Sequence, residues 1–171
     1  MFTPYRIKSL PLLLKSITAM QYYIYLKTQP YLAEFVKHSF GNPVQLDRDS
    51  PESRIIREYI TKLPANNQPD MGEDANLAVQ LPFFKEADPR VYNHLGVAAK
   101  SALVESFNQL FEKCMLKEIG SIENVHRGKI SDLIYAWMEK HGIPDNDVNW
   151  ETIRQKYYRL RKKYRKNNVN L

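Results

Sequence analysis

Cysteine and glycine are scarce in this chain of 171 residues, and each shortage excludes a class of protein. The single cysteine, Cys114, allows no internal disulfide and no cysteine-based zinc finger, which needs at least a cysteine pair with histidine partners. The 6 glycines leave little material for a glycine-rich loop around a phosphate group. We therefore expect no cofactor, and we expect a reducing, cytoplasmic setting.

Long apolar runs are also missing from the N-terminal residues. The run from Leu10 to Leu14 is interrupted by Pro11 and closed by Lys15, whereas a secretory signal needs about 7 to 15 uninterrupted apolar residues. A membrane-spanning helix needs about 20. We expect residues 1–19 to be a loosely attached leader rather than a membrane segment. The alternative is a small basic amphipathic docking segment.

Acidic residues are nearly absent from the C-terminal segment. Residues 149–171 hold eight Lys or Arg and one acid, Glu151, which gives a net charge of +7. Residues 1–148 hold 17 basic and 18 acidic side chains, which gives a net charge of −1. One segment therefore makes the chain basic, and its sequence is the first place to look for a function.

Residues 20–84 carry the pattern of a small α/β module. The alternation in QYYIYLKT and in NLAVQLPFF is typical of half-buried strands. Ser50 followed by Pro51 predicts a helix start, and Gly41 predicts the end of a helix that begins at Pro30. We expect three short strands, of which NPVQLD is the second along the chain, and two helices. The predicted apolar face of the second helix comprises Ile55, Ile56, Tyr59, Ile60 and Leu63.

Residues 85–171 predict a helical module, with no strand beyond Asp88. A first long helix is expected to end at Gly120, and a second carries an apolar face around Trp137. The third is expected to begin at Asn149 as its cap, with Val148 and Ile153 forming a hydrophobic staple. Its apolar stripe, at steps of three and four, is Trp150, Ile153, Tyr157, Leu160 and Tyr164. The fold class is therefore α+β, a small N-terminal module followed by a helical bundle with a basic C-terminal helix.

The face of this last helix opposite the apolar stripe presents Thr152, Gln155, Arg159, Lys162 and Lys166, with Tyr158 and Lys163 beside it. The stripe is flanked by Arg154, Arg161 and Arg165 on one side and by Lys156 on the other. This pattern indicates a helix that docks on the protein and presents cations outward. Such a face suits nucleic acid: Arg, Lys and Gln can contact base edges in the major groove, and flanking cations contact phosphates. The predicted nucleic-acid-binding residues are Thr152, Arg154, Gln155, Tyr158, Arg159, Arg161, Lys162, Lys163, Arg165 and Lys166.

Three helices of which the third is basic outside and apolar inside resemble helix-turn-helix and Myb/SANT-like DNA-binding domains. The resemblance covers residues 97–167, and NWETIRQKYYRLR is similar to the third helix of those domains. The chain as a whole resembles small regulatory proteins of bacterial phages and mobile elements. The resemblance implies binding of double-stranded DNA. The segment from Gly142 to Val148 is longer than the three- or four-residue turn of a simple helix-turn-helix, so we expect another crossing angle.

Two other functions remain open on the sequence. The basic helix could meet an acidic protein, as in an assembly factor, or it could bind RNA. Enzymatic activity is not expected, because the four histidines are scattered with no helical pair at i and i+4. A magnesium-dependent nuclease that uses Asp47, Asp49 and a distant glutamate is the remaining enzymatic interpretation. We interpret Asp47, Asp49 and Glu52 as turn and cap residues instead.

Overall fold

A computed structural model describes residues 22–67, 72–125 and 129–168, and the predicted leader lies outside these ranges. Within them, five helices and four short strands, which pair antiparallel in two small sheets, confirm the predicted α+β class. In chain order, the elements are β1 (Tyr23–Leu26), α1 (Pro30–Phe40), α2 (Pro51–Tyr59), β2 (Ile60–Lys62), β3 (Leu77–Gln80), β4 (Tyr92–Leu95), α3 (Val97–Val125), α4 (Ile130–Lys140) and α5 (Asp147–Asn168).

The ends of α1 and α2 follow the predicted signals. The Ser50 side chain accepts a hydrogen bond from the Ser53 backbone N–H at 3.1 Å, which satisfies one of the free donors at the start of α2. Pro51 occupies the first position of that helix. Gly41 follows α1 with φ +88°, a conformation that side chains with a Cβ rarely adopt. The end of α1 and the start of α2 are therefore set by the residues next to each helix, Gly41 and Ser50.

Two small sheets surround these helices. β1 pairs with β3 so that Ile24 faces Val79 and Leu26 faces Leu77, and all four side chains are buried. β2 pairs with β4, with an irregular register after Thr61. The first pairing joins the two segments whose alternation predicted strands. The prediction of a strand at NPVQLD is wrong, because this segment forms one isolated bridge, from Val44 to Val79.

The second sheet corrects two predictions. The helix after Ser50 ends at Tyr59, because Ile60 takes an extended conformation and pairs with Leu95. Pro64 adds to this, since a proline disfavours helical geometry at the residue before it, Leu63. The expectation of no strand beyond Asp88 is also wrong, because β4 supplies the partner of β2.

The long helix α3 forms the axis of the core. Its buried face repeats at every fourth residue, and the predicted end at Gly120 is wrong because α3 continues to Val125. A glycine in a helix costs only about 1 kcal/mol relative to alanine, less than the roughly 1.5 to 3 kcal/mol from burying a residue such as Ile119. The buried residues on this face are Leu103, Phe107, Phe111, Met115 and Ile119.

One hydrophobic core joins the two predicted modules. The ring of Phe111 on α3 lies 5.1 Å from that of Tyr31 and 5.2 Å from that of Phe35, both on α1. The same ring lies 5.2 Å from that of Trp137 on α4. Residues on both sides of the predicted boundary at residue 84 thus pack together. The division of the chain at residue 84 stays a prediction about which residues fold together as a unit.

Candidate nucleic-acid interface

The helix α5 is capped by Asn146, which lies just before it. The Asn146 side-chain oxygen accepts a hydrogen bond from the Asn149 backbone N–H at 2.9 Å, which is the usual geometry of an N-cap. Asn149, the predicted cap, is instead buried in the first turn, where its side chain donates to the Pro144 carbonyl at 3.1 Å. Asparagine is a common N-cap residue, so the sequence alone fits a cap at Asn146 or at Asn149. The hydrogen bonds identify Asn146 as the cap.

The predicted hydrophobic staple is not formed. Val148 is 74% exposed, whereas Ile153 is fully buried. Because α5 begins at Asp147, Val148 lies inside the first turn and not before the cap, where a staple residue must lie. The start of α5 is therefore held by the hydrogen bonds of Asn146 and Asn149.

The inner face of α5 fixes the helix to the rest of the protein. Ile153 and Tyr157 are fully buried, and Trp150 and Leu160 are partly buried against the core. The helix contacts both α3 and α4. Four of the five predicted stripe residues thus contact the core, and the fifth, Tyr164, does not.

One basic residue of α5 is part of this inner face. Lys156 is buried, and its Nζ donates to the Glu112 carboxylate at 2.6 Å and to the Asn108 side chain at 2.8 Å. The same Nζ lies 5.9 Å from the centre of the Phe111 ring. Lys156 is therefore engaged in tying α5 to α3 and cannot serve a partner without breaking a largely buried ion pair.

Two predicted binding residues are held by the one acid of the segment. Arg154 donates from Nε and Nη2 to both Glu151 oxygens, each at 2.9 Å, and Gln155 donates from Nε2 to Glu151 at 2.7 Å. The Arg154 hydrogen bond, followed by that of Gln155, lowers the pKa of Glu151. The Arg154 guanidinium also lies over the rings of Trp150 and Tyr158, at 5.2 and 5.9 Å. Arg154 is thus neutralised and fixed in place.

The remaining cations of the outer face differ in their surroundings. Arg159, Lys162 and Lys163 are exposed and form no ion pair within the described part of the chain. Arg161 is half-buried and takes part in an interaction within the protein. Thr152 and Tyr158 are exposed on the same helix. For Arg165 and Lys166 the structure gives the helical backbone and no side-chain surroundings.

The end of α5 extends past the core. Tyr164 was predicted to belong to the apolar stripe, but it is 61% exposed. Lys162, Lys163 and Tyr164 are three successive exposed residues, which together cover about 200° of the helix circumference. Tyr164 lies four residues after Leu160, as the stripe requires, but the core does not extend to the helical turn that contains Tyr164. This end of α5 therefore presents a wide surface to solvent.

Of the acids near α2, Asp47 takes part in the predicted turn through its backbone, whereas Glu52 contacts α3 and does not act as a cap. The Asp47 carbonyl accepts a hydrogen bond from the Ser53 hydroxyl at 2.7 Å, and Asp49 is exposed. Glu52 is buried and accepts a hydrogen bond from Ser106 at 2.7 Å. Within the described ranges these three acids form no group that could hold a metal ion.

Comparison with protein-family models, with curated proteins and with solved structures gives no match to this chain. Among the described residues, every helix is too short or too polar to cross a membrane. The geometry of α5 is therefore the main basis for inferring a function.

Proposed function

We propose that this protein binds double-stranded DNA through the outer face of α5, as a regulator or accessory protein of a mobile genetic element. One observation carries the DNA-binding part: Arg159, Lys162 and Lys163 are exposed and unpaired within the described residues, on a helix whose opposite face is anchored. The mobile-element part rests on the resemblance drawn from the sequence.

The dimensions of α5 suit a groove of B-form DNA. Its 22 residues span about 33 Å at about 1.5 Å per residue. The major groove is about 12 Å wide and admits one α-helix. Because the helix is exposed over much of its circumference near Tyr164, that end can approach the duplex without collision with the core. The free cations then lie within reach of phosphates and base edges.

The residues of the outer face divide by role under this proposal. Arg159 and Lys162 are the leading candidates for guanine or phosphate contacts, since neither has a competing acid. Gln155 can pair bidentately with adenine only after its Nε2 leaves Glu151. Arg154 likewise requires release from Glu151. The hydrogen bonds to Glu151 thus reduce the number of side chains on α5 that are available to contact DNA.

An acidic protein partner is the second candidate function. Tyr158 and Tyr164 are 41% and 61% exposed beside the free cations. Tyrosine and arginine are enriched at protein interfaces, so the same surface suits an acidic protein. Sequence-independent attraction to any polyanion is the simplest alternative to both.

The test compares ligand classes with a matched pair of triple variants. Binding of labelled duplex DNA, structured RNA and heparin is measured by fluorescence anisotropy at two salt concentrations. R159Q/K162Q/K163Q removes the free cations of α5, and R54Q/K85Q/K113Q removes the same charge from exposed positions elsewhere.

We expect the α5 variant to lose duplex binding by about tenfold or more, and the control to lose much less. Equal affinity of the unmodified protein for the three ligands would contradict DNA recognition and leave a general polycation. Equal losses in the two variants would show that net charge, and not α5, sets the affinity.

A further inference from the structure

Three metal-ligating side chains lie together where α3 and α4 meet, away from the outer face of α5. Cys114 and Glu118 are one turn apart on α3, and His141 follows the last residue of α4. Within the described ranges, this is the one group of at least three such residues whose ligand atoms lie within 4.8 Å of each other. All three residues are half-buried.

We propose that Cys114, Glu118 and His141 form a binding site for a divalent transition-metal ion with the ligand preference of Zn²⁺. The Cys114 Sγ lies 3.3 Å from Glu118 Oε1 and 3.9 Å from His141 Nε2, and Nε2 lies 3.0 Å from Glu118 Oε2. Around a tetrahedral zinc ion, sulfur, nitrogen and oxygen ligands are separated by about 3.3 to 3.6 Å, from bond lengths of about 2.0 to 2.3 Å. The 3.3 Å and 3.0 Å contacts are made by different Glu118 oxygens, so a rotation of the carboxylate and a closer approach of Sγ and Nε2 are needed to bring one oxygen, the sulfur and the nitrogen to a common ion.

The protein holds these side chains on rigid elements. The His141 ring lies 4.6 Å from the Trp137 ring and 5.4 Å from the Phe35 ring, so core aromatics restrict its orientation. Cys114 and Glu118 project from the same face of α3, whose neighbouring residues Phe111 and Met115 are fully buried. Preorganised ligands reduce the entropy that metal binding must overcome. Three protein ligands leave the fourth position of the metal to water.

The hydrogen bonds among these side chains indicate which protons metal binding must displace. The Cys114 thiol donates to Glu118 Oε1, and burial, followed by this hydrogen bond, raises the pKa of the thiol to about 11. The thiolate is the ligand, so metal binding replaces the sulfur–hydrogen bond by a sulfur–metal bond and releases the proton to solvent. The loss of that proton also frees Oε1 to coordinate the metal. The Nε2 proton that faces Glu118 Oε2 must move to Nδ1 or to solvent, because the neutral imidazole binds a metal through an unprotonated nitrogen.

Lys140 supports the carboxylate from outside the cluster. Its Nζ donates to Glu118 Oε2 at 2.7 Å, the oxygen that His141 also contacts. When Oε1 coordinates the metal, Lys140 can keep its bond to Oε2 and orient the carboxylate, as outer partners of metal ligands commonly do. Lys140 is therefore assigned a positioning role and not a ligand role.

Cobalt(II) is a direct probe of the site in the full, untagged chain kept reduced. We expect one Co²⁺ per chain, with a thiolate-to-cobalt charge-transfer absorption, strong visible bands of a four-coordinate ion, and displacement by Zn²⁺. Because the chain has one cysteine, a charge-transfer band can come only from Cys114 in a monomeric protein. Size-exclusion chromatography with and without Co²⁺ tests for bridging of two chains.

Ligand variants make the assignment specific. Cys114→Ser should abolish the charge-transfer band, and Glu118→Gln and His141→Gln should each weaken Co²⁺ binding by about tenfold or more. Lys140→Met should weaken binding less than either ligand variant does. His94→Ala, on β4, is the control and should bind Co²⁺ as the unmodified protein does, with circular dichroism verifying the fold of each variant. Absence of the charge-transfer band in the unmodified protein overturns the proposal, and so does unchanged affinity in both Glu118→Gln and His141→Gln.

Discussion

Two lysines of α5 with the same charge have different surroundings. Lys156 is 9% exposed and paired with Glu112, whereas Lys162 is exposed and unpaired among the described residues. The sequence placed Lys156 beside the apolar stripe, but its ion partner comes from α3 and is 44 positions away. Charge counting alone therefore overstates the number of cations available to a partner.

The two lysines should differ in their effect on stability. Lys156→Met leaves Glu112 without its ion partner in a largely buried site, and we expect it to lower the free energy of unfolding by about 1 to 3 kcal/mol. Lys162→Met, on the same helix, should change it by less than about 0.5 kcal/mol. Urea denaturation followed by circular dichroism measures both. Equal effects would show that the Lys156–Glu112 pair has no role in holding α5.

Glu151 should limit DNA binding, since it neutralises Arg154 and holds Gln155. We expect Glu151→Gln to raise affinity for duplex DNA and, if Arg154 then contacts a phosphate, to steepen the salt dependence by about 0.9 in slope. Glu105→Gln, an exposed change on α3 with the same charge difference, is the control for net charge. An equal gain in DNA affinity in both variants, measured by fluorescence anisotropy, would show that Glu151 does not specifically limit DNA binding.

Glu118 should make the metal-free protein sensitive to acid. Burial disfavours the ionised carboxylate, but hydrogen bonds from Lys140, His141 and Cys114 lower its pKa from 4.5 to about 2. Its contribution to stability is therefore fully present above about pH 4.5 and is lost as pH falls toward 2. The difference in unfolding free energy between the unmodified protein and Glu118→Gln, measured with a chelator, should shrink between pH 5 and about 2.5. A difference that stays constant over this interval would contradict the lowered pKa.

At the scale of elements, periodic segments were predictable and pairing partners were not. The alternation of β1 and β3 and the cap at Ser50 are local signals, and both are confirmed. β4 buries only Leu95, so its residues lack the alternation that identifies a strand. β4 forms because it pairs with β2, which lies more than 30 positions earlier in the chain. A local sequence pattern cannot predict such a distant partner.

The candidate sites show the same limit. The outer face of α5 follows from helical spacing, but the turn at which the core ends depends on tertiary packing, and Tyr164 was misplaced for that reason. Cys114 and Glu118 carry a local signal, a spacing of four on one helix. His141 joins them only through the packing of α4 on α3, so a search for histidine pairs could not identify the cluster.

Two tyrosines of the stripe, Tyr157 in its middle and Tyr164 at its end, test where α5 leaves the core. Tyr157→Ala removes a fully buried ring and should lower the free energy of unfolding by about 3 kcal/mol or more. Tyr164→Ala changes a 61% exposed side chain and should alter it by less than about 0.5 kcal/mol. Thermal or urea unfolding distinguishes them. A large loss in Tyr164→Ala would show that the core extends over the last turns.

The whole molecule combines a nearly neutral body with one basic helix. The body, residues 1–148, has a net charge of −1, which includes three basic residues and no acid in residues 1–19. Residues 149–171, with a net charge of +7, are therefore the main source of long-range attraction to a polyanion. Of the eight cations there, Lys156 and Arg154 are paired with acids. The arrangement predicts an orientation as well as an affinity, with the outer face of α5 toward the partner.

The salt dependence of duplex binding tests this account most directly. If α5 neutralises about five phosphates, the logarithm of the association constant should fall against the logarithm of salt concentration with a slope of about −4 to −5. The slope should lose about 2.7 of its magnitude in R159Q/K162Q/K163Q and little in R54Q/K85Q/K113Q. A slope near zero in the unmodified protein, or the same reduction in both variants, would contradict the proposal that α5 binds DNA.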